Sequence, residues 1–324
     1  MCKKVFNLMK IILCIGLLFL SINVNAQSIK IISYNANLLP NIPISPLTKN
    51  LNHPFKRAKL IPYELDKYKP DVVVFEEDIG PISAAILNKH MKKLGFKYYT
   101  KIVGSWDLSH INLLNGGVIV YSRYPFAEDP QYLVYPKSYG WESISNKGAI
   151  FAAIKKDGFT YNIIATHLQS IDQNSKDTES QLIHWQKQIG ALAQFIANLN
   201  LSASKPLIIV GDLNADSQMA IPGEIPKKEI TPIYNKLLSS LNAKEVAPYA
   251  NNTLPFSFDG KTNLMINDVN NRQTLDHFLC ISGYLCANQD KSSIQIIAVK
   301  SDKLEKVNDL SDHYAILADL SYFP

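Results

Sequence analysis

The sequence predicts an α/β fold in which helices cover packed β-sheets of mixed strand direction. Short apolar runs, such as residues 29–34 and 71–75, outnumber the stretches with helical spacing. Some runs follow each other directly, because Asp157-Gly158 separates two of them as a hairpin signal. A regular alternation of parallel strands and helices is therefore incomplete, and we expect a mixed-sheet sandwich.

The individual elements follow from the spacing of apolar residues. Runs rich in Val, Ile and aromatic residues predict strands over 29–34, 71–75, 117–121, 149–154, 161–166, 207–210, 275–280, 294–299 and 314–320. Apolar residues every three or four positions predict helices over 55–68, 82–94, 178–199 and 231–241. Pro62 is expected to interrupt the first helix, since proline removes a helical hydrogen bond.

Residues 1–26 have the pattern of a secretory signal. Three lysines precede the apolar run 11–22, and a small-residue cleavage site ends at Ala26. The alternative is a membrane anchor, but the run is shorter than the roughly 20 residues that span a bilayer. We therefore expect cleavage after Ala26, secretion or periplasmic location, and one domain over residues 27–324.

Charge and cysteines narrow the class of protein. The formal net charge is +5, and three of the 33 Lys and Arg residues fall in the predicted signal, which has no Asp or Glu. The remaining chain lacks the strong basic footprint of a nucleic-acid-binding protein, and we expect a monomer without an obligate protein partner. Export favours a disulfide between Cys280 and Cys286 over two buried free thiols.

Polar side chains follow or precede several of the predicted strands. The run 207–210 ends at Gly211, and Asp212 and Asn214 come next. Residues two apart in a strand share a face, so both oxygens could address one cation, although an Asx turn is the simpler alternative. Similar positions are held by Asn35, Glu77, His167, Asp276, Asp312 and His313. Each alone fits a turn or a solvated loop, but their repetition indicates a site.

The chemistry of this set favours a hard cation. It consists of carboxylates, amides and two histidines without cysteine, which argues against a thiolate zinc site. Oxygen ligands suit Mg²⁺, with Mn²⁺ or Co²⁺ as substitutes and a second divalent ion as an option. Two histidines suit phosphoester hydrolysis, because one can take a proton from water while the other stabilises charge.

The motifs around these residues resemble the endonuclease/exonuclease/phosphatase superfamily, which has the DNase I-like fold. They occur in the family's order at residues 33–35 (SYN), 75–77 (FEE), 166–169 (THLQ), 211–214 (GDLN), 275–279 (LDHFL) and 311–316 (SDHYAI). The segments 116–125 (GGVIVYSRYP) and 145–148 (SNKG) are most similar to bacterial neutral sphingomyelinases of the C type. The resemblance implies a four-layer sandwich of two mixed sheets flanked by helices.

The resemblance also implies the metal ligands. Glu77, with Asn35, would hold the principal Mg²⁺. Asp212 and Asn214 would position the water and the phosphoryl group or hold a second cation, and Asp312 would add charge there. The implied activity is hydrolysis of sphingomyelin, a phospholipid at a membrane surface, to ceramide and phosphocholine.

The same resemblance implies the groups that move protons and contact substrate. His313 would be the general base, oriented by Asp276, and His167 would stabilise the transition state. The segment 132–141 is rich in aromatics, which suit a quaternary ammonium group, although they could equally pack the core. Candidate substrate contacts are therefore Trp141, Tyr139 and Lys147.

Two departures from the family pattern stand out. His277 replaces the tyrosine that follows Asp276 in the family, and we expect it to lie outside the site. The segment 300–309 is highly charged and has no Trp or Phe, where haemolytic members carry an apolar hairpin that enters membranes.

Three other functions remain open at this point. A secreted nuclease on the same fold is the first, although nuclease affinity usually relies on Lys and Arg contacts to phosphate. A phosphoinositide phosphatase and a catalytically silent surface-binding protein are the others.

Overall fold

Two six-stranded β-sheets form the centre of the protein. The computed structural model describes residues 27–40, 53–106, 113–172, 175–217, 232–304 and 307–323, so the predicted secretory signal lies outside the described residues. Within the described part of the chain, no helix has the length and apolarity needed to cross a membrane.

The first sheet has the strand order β15-β16-β1-β2-β5-β3. The strands β1 and β2 run parallel, and every other neighbouring pair is antiparallel. Its strands are β1 (Gln27–Asn35), β2 (Val72–Glu76), β3 (Tyr98–Tyr99), β5 (Ile119–Ser122), β15 (Ser293–Ile297) and β16 (Ala315–Tyr322).

The second sheet has the order β11-β14-β10-β9-β8-β6, with β9 and β10 parallel and the other pairs antiparallel. Its strands are β6 (Gln131–Val134), β8 (Gly148–Lys156), β9 (Phe159–Thr166), β10 (Leu207–Asp212), β11 (Ala243–Glu245) and β14 (Asp276–Ile281). Two small two-stranded sheets pair β4 (Leu114–Asn115) with β7 (Ser145–Asn146), and β12 (Phe258–Asp259) with β13 (Arg272–Gln273).

Three apolar cores create four layers. Inward-facing residues of both sheets, including Val72, Val74 and Ile163, share one core. The outer face of the first sheet packs on helices α1 (Pro54–Asp66) and α2 (Pro81–Lys93). The outer face of the second packs on α3 (Thr178–Asn198) and α4 (Pro232–Leu241). Because both faces of each sheet are covered, the central strands are continuously apolar, and the predicted four-layer α/β sandwich is confirmed.

Strand direction brings the polar strand ends to one edge of the sandwich. The parallel strands β1 and β2 end together, with Asn35 opposite Glu76. Strand β16 is antiparallel to β1, so the residues that precede it lie at the same edge. In the second sheet, Asp212 at the end of β10 is paired with Asp276 at the start of β14.

Some local predictions need correction. Pro62 lies inside α1 without ending it, because the apolar face of the helix continues through Leu65 against the first sheet. The aromatic-rich segment 132–141 was expected to be a loop, but its first residues, 132–134, belong to strand β6. This strand lies at the edge of its sheet and pairs only with β8, so its sequence shows little apolar alternation. The predicted disulfide between Cys280 and Cys286 is confirmed.

Candidate active site

Close contact between the ends of β9 and β10 positions two residues at the base of the site. Gly211 has a φ of 143°, and a Cβ added there would lie 1.8 Å from the carbonyl oxygen of Thr166. Only glycine fits this approach. The next residues on each strand, His167 and Asp212, are thereby placed side by side, with 3.5 Å between His167 Nε2 and Asp212 Oδ2.

Asn35 joins two carboxylates that come from different sheets. Its amide nitrogen donates to Glu77 Oε1 at 3.1 Å and to Asp212 Oδ2 at 3.0 Å. Glu77 follows β2 in a left-handed conformation, with φ 56°, which turns its side chain towards this point. Since Asn35 directs N–H groups at the carboxylates, its amide must turn before its oxygen can serve as a metal ligand.

His313 is held by a buried carboxylate. Its Nδ1 lies 2.9 Å from Asp276 Oδ2, and its Nε2 lies 3.7 Å from Asp212 Oδ2. The bond to Asp276 places a proton on Nδ1 and leaves Nε2 directed at the cavity. The ring of Phe258 packs edge-on against the imidazole, with centroids 5.1 Å apart.

His167 has a cation beneath it. Lys147 Nζ, on a side chain only 6% exposed, lies 3.0 Å from His167 Nε2, 2.8 Å from the carbonyl oxygen of Leu168 and 2.7 Å from Glu142 Oε1. An ammonium group only donates, so His167 Nε2 accepts and the ring proton is on Nδ1. These three bonds use all three protons of Lys147.

A cavity of about 490 Å³ opens over this cluster. It is lined by five of the predicted residues, Glu77, His167, Asp212, Asn214 and His313. Asn214 was expected to share a strand face with Asp212, but it lies beyond the end of β10 in a left-handed backbone conformation, with φ 50°. Its side-chain amide donates to the carbonyl oxygen of Leu168 at 3.0 Å.

Two residues of the cavity wall that contact the catalytic cluster, Glu142 and Phe258, were not predicted from the sequence. They line the cavity together with Ser170, Ile171, Asp172, Asn271, Gln273 and Leu275. Neither belongs to a motif: Glu142 lies in the 3₁₀ helix Gly140–Ile144 and Phe258 in the short strand β12, and their approach to the cavity depends on the whole fold. Glu142 was detectable only as the neighbour of Trp141.

Burial and neighbouring charges shift the pKa values of the acids and histidines in the cluster. Burial and the charge of Asp312 raise the pKa of Glu77 to about 7. Burial and Asp276 raise the pKa of Asp212 to about 6. Burial opposes protonation of His313, but the surrounding carboxylates outweigh it and raise its pKa. Burial and the Lys147 charge lower the pKa of His167 and keep it neutral.

The three predicted substrate contacts, Trp141, Tyr139 and Lys147, do not line the cavity as most of the catalytic residues do. Trp141 is 63% exposed, whereas Tyr139 is half-buried with its ring 5.6 Å from that of His184 on α3. Neither side chain is part of the cavity wall formed by the described residues, and Lys147 lies below it. A role in binding substrate stays a prediction for all three.

Two residues remain. Asp312 is close enough to Glu77 to raise its pKa, so it lies on the Glu77 side of the cluster, and its role at a second cation position stays a prediction. His277 is fully buried on the far side of β14, where its Nε2 lies 2.8 Å from the carbonyl oxygen of Ala215.

A buried group of side chains could hold a metal ion. Asp212, Asp276 and His313 offer ligand atoms that all lie within 4.8 Å of one another. Since Oδ2 of Asp276 is already bonded to His313 Nδ1, a cation here would compete with that pair. The carboxylates joined by Asn35 are a second grouping with the right chemistry.

Comparison with known proteins identifies the family. The sequence pattern of the Endonuclease/Exonuclease/phosphatase family matches residues 20–259, which is more than half of the chain. The protein therefore belongs to this family, and the resemblance found in its motifs is confirmed.

Within the family, the chain is similar to bacterial sphingomyelinases C. It is 32% identical to Sphingomyelinase C 2 of Leptospira interrogans over 252 residues, which are 75% of this chain but only 37% of that protein. It is 26% identical to Phospholipase C of Staphylococcus aureus over 309 residues, 90% of this chain and 86% of the relative. A crystal structure of a Staphylococcus aureus beta toxin variant with bound magnesium ions superposes with a TM-score of 0.74, 25% identity, and coverage of 92% and 100% of the two chains.

Proposed function

We propose that this protein is an exported, Mg²⁺-dependent phosphodiesterase that hydrolyses sphingomyelin to ceramide and phosphocholine. The observation that carries the proposal is the Asp276–His313 pair, whose free Nε2 faces a cavity shared with the carboxylates of Glu77 and Asp212. The similarity to sphingomyelinases C supports the choice of substrate.

The donor set fits a divalent cation. Glu77 and Asp212 are buried acids that meet at one amide. Burial raises the pKa of both, with Asp312 adding to the shift of Glu77 and Asp276 to that of Asp212. Glu77 with Asn35 would hold the principal ion, while Asp212 and Asn214, with charge from Asp312, would serve a second position. The ion would neutralise charge on the phosphoryl oxygens.

His313 supplies the base. Its Nε2 accepts a proton from the water that attacks phosphorus, and Asp276 holds the Nδ1 proton and stabilises the imidazolium that forms. Two of the carboxylates that raise the pKa of His313, those of Asp212 and Asp312, are ones that a divalent cation would neutralise, whereas Asp276 stays bonded to Nδ1. Cation binding is therefore expected to lower this pKa towards the range that a base requires.

His167 and Lys147 would act on the negative charge of the phosphoryl group. The Lys147 ammonium is bonded to the neutral His167 ring, so a buried positive charge lies directly behind the imidazole that borders the cavity. This charge would stabilise the negative charge that builds up on the phosphoryl oxygens in the transition state. Asn214, whose amide donates to the same Leu168 carbonyl oxygen as Lys147, would orient the phosphoryl group.

Purified protein without residues 1–26 tests the proposal directly. We expect release of phosphocholine from sphingomyelin vesicles in the presence of Mg²⁺ and none in EDTA. Phosphoinositides and double-stranded DNA should be poor substrates. Cleavage of DNA but not of sphingomyelin would overturn the lipid assignment, and unchanged activity in EDTA would overturn the metal assignment.

A further inference from the structure

Arg57 is a fully buried cation outside the cavity wall. It lies on α1, and its guanidinium donates to three main-chain carbonyl oxygens: those of Ala36 at 2.8 Å, Asn37 at 2.7 Å and Leu310 at 2.8 Å. The planar guanidinium suits such a task, because its fixed fork of donors can reach several acceptors at once.

These carbonyl groups belong to the two segments that carry the metal cluster. The hydrogen-bond ladder between strands β1 and β16 ends at the pair Ser33 and Ile316, and the two strands are no longer paired beyond it. Past this point Ser311 Oγ donates to the carbonyl oxygen of Asn35 at 2.6 Å, and Arg57 bonds the neighbouring carbonyl groups on both sides. Side chains therefore replace the ladder where the sheet opens.

The connection extends to Glu77. The amide N–H of Ala36 donates to the carbonyl oxygen of Glu76 at 2.9 Å, and that of Leu38 donates to the carbonyl oxygen of Glu77 at 3.0 Å. Arg57 holds the carbonyl group of Ala36, so one side chain fixes the main chain next to both predicted ligands.

The charge of Arg57 also lies near the acids. Burial lowers the pKa of its guanidinium, while the negative charges of Asp312 and Glu77 act in the opposite direction. A cation is thus buried near these carboxylates without being part of the cavity wall.

We propose that Arg57 is a positioning residue for the metal centre. It fixes the main chain of the segments 35–37 and 310–313, so that before a cation binds Glu77 is already in place and Asn35 needs only a turn of its side-chain amide. The inference rests on the proposed function, because it assigns the cation to the Glu77 side of the cluster. Groups that orient metal ligands typically change metal affinity by roughly 10–100-fold when they are removed.

Arg123 provides a matched control. It is a second arginine that bonds main-chain carbonyl groups, those of Pro70 and Leu94, and it also pairs with Asp66. It follows β5 at the end of the first sheet opposite Glu76, since Ser122 pairs with Val72 at the start of β2. Loss of either arginine weakens the sheet, but only Arg57 is next to the site.

The test is a calorimetric titration of substrate-free protein with Mg²⁺, repeated with Mn²⁺, on wild type, Arg57→Lys, Arg57→Met and Arg123→Lys. We expect affinity to fall about 10-fold in Arg57→Lys and further, towards 100-fold, in Arg57→Met. Arg123→Lys should lower the melting temperature and leave metal affinity within about twofold of wild type, since it touches no ligand segment. At saturating Mg²⁺ the Arg57→Lys variant should recover most of its kcat.

Three results would overturn the inference. One is wild-type metal affinity in both Arg57 variants, which would leave the proposed function intact. Another is an equal loss in Arg123→Lys, which would show general loosening of the sheet. The last is a wild-type protein that neither binds Mg²⁺ nor hydrolyses sphingomyelin, which removes the proposed function as well. If Arg57→Met does not fold, the comparison of the two lysine variants decides.

Discussion

Asp276→Asn tests how the base is oriented. In the wild type, Asp276 Oδ2 accepts the Nδ1 proton of His313 at 2.9 Å and is 1% exposed. Asparagine has nearly the same shape, so the buried position should be filled without a cavity. Its amide can donate to Nδ1, which would move the ring proton to Nε2. A protonated Nε2 facing the cavity cannot take a proton from water.

The expected loss follows from what the base contributes. A general base typically contributes 10²–10⁴-fold, so kcat of Asp276→Asn should fall by roughly that factor. At about 1.4 kcal/mol for each factor of ten, this raises the barrier by about 3–5 kcal/mol. Because Asp276 acts through His313, the decrease in kcat of Asp276→Asn should not exceed that of His313→Ala. The double variant Asp276→Asn/His313→Ala should have a kcat no lower than that of His313→Ala alone.

The assay is phosphocholine release from sphingomyelin at several Mg²⁺ concentrations, with circular dichroism as the control for folding. A kcat near wild type would refute the orientation argument. A normal kcat at saturating Mg²⁺, reached only at a roughly 10–100-fold higher Mg²⁺ concentration than in the wild type, would instead indicate that Asp276 is a metal ligand, as its closeness to Asp212 allows.

Three further predictions concern the metal, the headgroup and a buried acid. Glu77→Gln keeps the shape and removes one charge, so the Mg²⁺ requirement should rise steeply or activity should vanish; an unchanged Mg²⁺ titration would contradict this. Trp141→Ala should weaken choline-headed substrates but leave bis-nitrophenyl phosphate hydrolysis nearly unchanged, since Trp141 is 63% exposed beside the cavity residue Glu142; equal losses on both substrates would count against an aromatic contact to choline. Asp78 is buried, neither of its oxygens has a hydrogen-bond partner among the described residues, and burial raises its pKa to about 8. The folded protein therefore holds a proton that the unfolded chain releases above about pH 4, and this contribution to stability is lost as the pH rises to 8. Asp78→Asn should be more stable than wild type at pH 8 by about 1–3 kcal/mol and should lose this advantage near pH 4; thermal unfolding with equal stability at pH 8 would disprove it.

The sequence predicted the strands well because both faces of each sheet are covered. A strand buried on two sides must be apolar throughout, as 207–210 is, and such runs are visible without knowledge of their neighbours. Edge strands carry a weaker pattern, and the sequence of β6 therefore does not predict a strand. The site residues were found because polar groups directly after apolar runs are easily recognised.

The sequence by itself determined the α/β class, the identity of the cluster and the cysteine pair. Only the tertiary structure decided how these groups meet. Asn35 and Asp212 are 177 residues apart, and their hydrogen bond exists because two sheets pack with their polar edges aligned. The same holds for Lys147 beneath His167 and for Arg57 behind Asn35. Such contacts depend on strand order and layer packing, which side-chain periodicity along one chain does not encode.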